Sequence, residues 1–164
     1  MVIMEKKYLF IVLPLILLLA FGIFAGTVIY QPAMAQKAEG HDQAINKAEE
    51  AAHLTKIDQA QTFVGKEKHF IIEGKNDKNE SVYVWVPDNK NQKIIYKAIN
   101  EGITEKQAAD VLRDGGEARD VIGIQLAREG DVLLWEIAYM NQDNQYTLSY
   151  VDFSNGKIHK TITP

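Results

Sequence analysis

The sequence predicts an α+β protein: a single N-terminal transmembrane helix followed by two tandem units, each a helix plus a four-stranded antiparallel sheet. Three observations carry this. The run from Tyr8 to Tyr30 has no charged residue and is rich in Leu, Ile and Phe, and it exceeds the roughly 20 apolar residues that cross a bilayer core as a helix. The remainder alternates apolar and polar residues in short stretches bounded by Asn, Asp and Gly, which is the period of half-buried strands. One pattern also occurs twice, 64 positions apart and without a gap: Val82–Ile94 lines up with Tyr146–Ile158, and both copies end in Asp-x-x-Asn-x-Lys-Ile.

The apolar run sets the expected location. Lys6 and Lys7 precede it, and no charge follows until Lys37. The positive-inside bias then places residues 1–7 in the cytoplasm, 8–30 in the cell membrane as a single pass, and the rest outside. Pro14 is tolerated in such a helix. The competing reading is a cleaved signal peptide, with Ala33-Met34-Ala35 as its site. Signal h-regions span about 7–15 apolar residues, shorter than this run, which favours an uncleaved anchor. Residues 31–40 make a short connector with Pro32 and Gly40.

The first unit is expected at 41–101 and the second at 102–164. Unit one opens with a helix over Asp42–Leu54, capped by Asp42 and presenting Ala44, Ala48 and Ala52 as a stripe of small residues. Strands follow at 57–64, 68–73, 81–86 and 93–99. In the third, Val82, Val84 and Val86 share one face, and Tyr83 and Trp85 the other. In unit two, Thr104 and Gln107 form a capping box, and Gly115-Gly116 stops the helix. Its strands are expected at 120–127, 132–140, 146–151 and 157–162. A unit of about 60 residues buries only about 60% of its chain surface, so the two should pack on each other.

Composition narrows the function. Eighteen Lys/Arg against 22 Asp/Glu give a net charge of −4, spread without a basic block, which argues against nucleic-acid binding. There is no cysteine, so neither disulfides nor thiol chemistry contributes. His41, His53, His69 and His159 lack metal-ligand spacing. Ser81, Ser149 and Ser154 lie in no nucleophile elbow. Asp77–Glu80 lacks the glycine and distal Glu of a calcium loop and reads as a hairpin turn. No catalytic, cofactor-binding or metal residue is expected. Of the aromatic residues, most read as core, while Tyr83 and Trp85 are the candidate partner surface, since Trp and Tyr are common interface anchors.

Tyr150-Val151-Asp152-Phe153-Ser154-Asn155-Gly156-Lys157-Ile158 resembles the strand–turn–strand of PepSY domains, and Ile103–Ala109 resembles their helix start. The first copy has Gln92 where the turn glycine falls, and Pro87 before its Asp. The whole layout is similar to the YpmB/TseB family of low-GC Gram-positive bacteria, with two cystatin-like units on one membrane helix. That resemblance implies a non-enzymatic regulator of cell-wall elongation that binds a membrane-bound penicillin-binding protein. Two other roles fit a binding fold: a PepSY-type inhibitor of an extracytoplasmic protease, inserting a loop such as Asn76–Glu80, or a peptidoglycan-binding module.

Overall fold

The computed structural model describes residues 40–164. The expected anchor at 8–30 and nearly all of the connector lie outside the described residues. Among the described residues, no helix is long and apolar enough to cross a membrane.

The chain builds two four-stranded antiparallel sheets with helices, in the order β1-β2-β3-β4 and β5-β6-β7-β8. Helix α1 covers residues 40–52. Asp42 therefore stands inside the helix and does not cap it. Nor does the helix reach Leu54: His53 takes a left-handed φ of 52°, which ends the helix as a C-terminal αL residue does. Then come β1 (Leu54–Val64), β2 (Lys68–Asn76), β3 (Ser81–Pro87) and β4 (Ile95–Ala98). A 3₁₀ turn at Ile99–Glu101 leads to α2 (Glu105–Asp114). The second sheet is β5 (Ala118–Glu129), β6 (Val132–Asn141), β7 (Tyr146–Asp152) and β8 (Ile158–Ile162).

Each helix covers one face of its sheet. Ala44, Ala48 and Ala52 are buried against Phe70, Ile72, Val82, Val84 and Val86. Methyl-sized side chains at four-residue spacing let α1 lie close to the branched residues of β3. Helix α2 begins at the expected capping box: the Gln107 amide donates to Thr104 Oγ1 (3.2 Å), and the Thr104 amide donates to Gln107 Oε1 (2.8 Å). Its Ala108 and Leu112 are buried in one cluster with Leu126, Trp135, Ile137, Tyr139 and Val151.

The repeat is real, but its register differs from the gap-free alignment. The β1 bulges at Leu54/Lys56 and Ile57/Gln59 recur in β5 at Ala118/Asp120 and Val121/Gly123, an offset of 64. The next hairpins match at an offset of 65: the Asn76 amide donates to Glu80 O (3.0 Å) and the Asn141 amide to Gln145 O (2.9 Å). The extra residue enters between β5 and β6, because Val64 pairs with Lys68 but its counterpart Arg128 pairs with Leu133. A slip of one residue moves every side chain of a strand to the opposite face. Val82, Val84 and Val86 thus correspond to Thr147, Ser149 and Val151, not to Tyr146, Leu148 and Tyr150.

Candidate functional site

The first sheet keeps an apolar stripe on the face away from α1. Cross-strand pairing sets Gln61, Ile71 and Trp85 in one row and Gln59, Glu73 and Tyr83 in the next. This face is closed by the second repeat. The Trp85 indole Nε1–H donates to Ala127 O at 3.2 Å. The Phe153 ring stands edge-on to both Tyr83 and Trp85, with centroids 6.2 and 5.7 Å away. Trp135 meets Tyr83 edge-on at 6.2 Å and donates its indole Nε1–H to Ile103 O at 3.0 Å. Phe63, Ile71 and Trp85 belong to the same buried cluster as the core of the second sheet. The two sheets therefore share one core.

Of the two residues singled out in the sequence, Trp85 is 0% exposed and has no surface to offer a partner. Its packing is that of the core. Tyr83 is half-buried and lines a cleft of about 100 Å³ between the sheets. Gln59, Gln61 and Glu73 line that cleft from the first sheet, and Glu105, Gln125 and Trp135 from the second repeat. Burial pushes the Glu73 carboxyl up, and the negative charges of Asp58 and Glu105 add to the shift. Burial likewise raises the Tyr83 phenol to about 12, helped by Glu73 and Glu105. The cleft is thus aromatic and acidic, with amides on its walls.

Sequence reasoning passed over a second polar feature of this seam. His69 is completely buried, and neither ring nitrogen has a hydrogen-bond partner among the described residues. Burial pulls its pKa down, and the positive charge of Arg128 acts in the same direction. Arg128 is also buried, donating from Nε to Gly130 O (2.7 Å) and from Nη1 to Lys93 O (2.8 Å). Only strand alternation could have flagged His69, since it sits opposite the Phe70 face.

The remaining histidines and the Asn76–Glu80 segment lie apart from this seam. His41 Nε2 lies 2.7 Å from Thr62 Oγ1, His53 ends α1, and His159 is exposed on β8. Asn76–Glu80 is a hairpin turn in which Asn76 Oδ1 accepts from the Lys78 and Glu80 amides. Among the described residues, no group of three or more acids or histidines is gathered to hold a metal ion.

A family profile described as "Cell wall elongation regulator TseB-like domain" matches residues 43–87. A relative from Bacillus subtilis (strain 168), named "Probable cell wall elongation regulator TseB", is 46% identical over 160 residues, spanning 98% of this chain and 99% of the relative. The chain belongs to the TseB family. By that homology it is a cell wall elongation regulator. The solved structure of the YpmB protein from Bacillus subtilis is similar as well, with a TM-score of 0.75 and 48% identity, covering 77% of this chain and 98% of that one. In this TseB-family chain the profile spans most of α1 through β3. It therefore contains the first-sheet wall of the cleft, including Glu73 and Tyr83, and the buried pair His69 and Trp85.

The two repeats present different outward faces. At the places of Ile71, Tyr83 and Trp85 the second sheet carries Glu136, Leu148 and Tyr150. There the Tyr150 hydroxyl donates to Glu136, and Lys160 Nζ lies 4.2 Å over the Tyr150 ring. That face is tied by polar contacts where the first is apolar and closed.

Proposed function

We propose that this protein is a non-enzymatic, membrane-anchored regulator that acts by docking on a membrane-bound penicillin-binding protein outside the cytoplasmic membrane. The observation that carries the reading is the full-length similarity to a protein named as a cell wall elongation regulator. Residues 8–30 supply an uncharged segment of membrane-spanning length. The connector at 31–40 is short, so the folded body is held near the bilayer, where membrane-bound wall synthases also work. The shared, packed core suits a docking body, since an interface presented on packed elements binds at a lower ordering cost.

The test is crosslinking in intact cells followed by purification of the full chain from membranes. Enrichment of a penicillin-binding protein is the expected result. Its absence, with the bait recovered intact, overturns the reading.

A further inference from the structure

The buried histidine of the seam lies next to an irregular surface segment. Residues 88–94 join β3 to β4 and belong to no strand. They begin beside His69, which pairs across the ladder with Pro87. Four contacts fasten them to the body. The Asp88 amide donates to Lys68 O at 3.0 Å, and Lys68 Nζ lies 3.6 Å from Asp88 Oδ1. The Gln92 side-chain amide donates to the Glu67 carboxylate. Arg128 Nη1 donates to Lys93 O at 2.8 Å. Asp88 to Asn91 are exposed. Beneath them, both ring nitrogens of His69 and Oε1 of Gln92 are buried without a hydrogen-bond partner, and among the described residues these are the only side-chain atoms in that state. Every such orphan thus gathers under this one segment.

The charges around the His69 ring oppose a proton there. Arg128 comes from β5 and is buried. Its counter-charges are Glu67 and Asp131, and Asp131 Oδ1 is 3.6 Å away on a side chain that is 96% exposed. Glu67 and Gln92 favour a charged ring, but burial and Arg128 outweigh them. A neutral ring is therefore tolerated under the segment, whereas an imidazolium would hold a second cation near Arg128 and away from water. Once the segment lifts, the ring meets water and takes its proton at the ordinary value of about 6.5. The open form then binds the proton more tightly than the closed form, so acid favours opening. The closed form is fully favoured above about pH 6.5 and loses that advantage as the pH falls from there.

The second repeat supplies an internal comparison. Leu134 stands at the place of His69, and the β7–β8 turn spans residues 153–157, five against the seven of 88–94, with Gly156 at a φ of 74°. The histidine and the longer connection occur together, in the first repeat. The fastenings of 88–94 are few and partly exposed, while the rest of the seam is a buried aromatic cluster. A segment held this way opens at lower free energy than the whole fold.

We propose that residues 88–94 are a proton-sensitive strap over the seam between the repeats, latched while His69 is neutral and released, with the Gln92–Glu67 and Arg128–Lys93 bonds broken, when His69 takes a proton. The strap does not depend on what the protein docks on.

The chain has no cysteine, so a single introduced thiol carries a spin label to one known place. The full-length chain in detergent micelles is labelled at Asn91→Cys in the strap or, as a control, at Ser154→Cys in the β7–β8 turn. Between pH 7.5 and 5 the ratio of mobile to immobile label at 91 is expected to rise at least about fivefold, within the ceiling of about 30-fold that a group of ordinary pKa 6.5 supplies at pH 5. The label at 154 is expected to keep its ratio, and near-UV circular dichroism its folded signal, at every pH. His69→Leu, which copies Leu134, and His69→Gln, which stays polar without titrating, are each expected to abolish the response at 91. An unchanged ratio at 91, an equal rise at 154, a rise that persists in a folded His69 variant, or a rise only where the near-UV signal is lost each overturns the proposal.

Discussion

At the residue scale, His69 shows how one position can be tuned by its place at the seam. Its counterpart in the second repeat is Leu134, which is likewise fully buried. A buried imidazole without partners costs about 1–3 kcal/mol relative to a satisfied group. His69→Leu is therefore expected to raise stability by about 1 kcal/mol, measured by urea unfolding at neutral pH. The same residue gives a pH dependence. Its folded pKa lies below the ordinary value of 6.5, so the unfolded chain binds the proton more tightly. Stability is full above about pH 6.5 and falls as the pH drops from there through the folded value. Denaturation midpoints between pH 7.5 and 5 should decline in the wild type and decline less in His69→Leu. Gly102 is a second such position: a Cβ there would sit 2.3 Å from the Phe153 ring. The ring is wedged against Tyr83, Trp85 and Trp135 and cannot yield. Gly102→Ala should destabilise by about 1–3 kcal/mol through overpacking, read as a lowered melting temperature.

At the element scale, the two helices end and begin by different means. Helix α2 carries its start in its own sequence, through Thr104 and Gln107. Thr104→Ala should lower stability by about 0.5–2 kcal/mol, measured by thermal denaturation. Helix α1 ends at His53 without a glycine, because the His53 carbonyl is taken by the Asp77 amide at 3.0 Å. That bond comes from the β2–β3 turn, so tertiary structure holds the left-handed residue in place. The β3–β4 and β7–β8 turns diverge as well. Gly156 takes a φ of 74°, which suits glycine. The Gln92 turn has no left-handed residue, and its side chain folds back onto Glu67 instead.

At the scale of the whole molecule, the shared core decides cooperativity. Trp85 belongs to the first sheet, yet its indole bonds to Ala127 of the second and its ring packs on Phe153. Trp85→Ala should cost about 3–5 kcal/mol. Because the cluster spans both sheets, the wild type should unfold in one transition. Near-UV and far-UV circular dichroism are expected to give coincident midpoints; two separated transitions would show independent repeats. The different outward faces follow from the same arrangement. Closing the first sheet's face with the second repeat uses up Ile71 and Trp85, and leaves Glu73 and Tyr83 at the cleft.

Local chemistry determined much of this protein. Alternation gave the strands and the Val82/Tyr83 face division, the capping box gave α2, and Asn- and Gly-centred turns gave the hairpins, because each depends on neighbours within a few residues. The resemblance to the TseB family was legible from Gly156-Lys157 and the overall layout. Tertiary structure alone decided three things. The repeat register needed hydrogen-bond pairing, since the inserted residue between β5 and β6 is invisible to a gap-free match of Val82–Ile94 on Tyr146–Ile158. The fate of Tyr83 and Trp85 needed the second repeat in place, because alternation shows that two side chains share a face but not what covers it. The juxtaposition of Glu73 with Glu105, and of His69 with Arg128, joins residues far apart in the chain, and the charge and burial of such pairs exist only once the sheets have closed on each other.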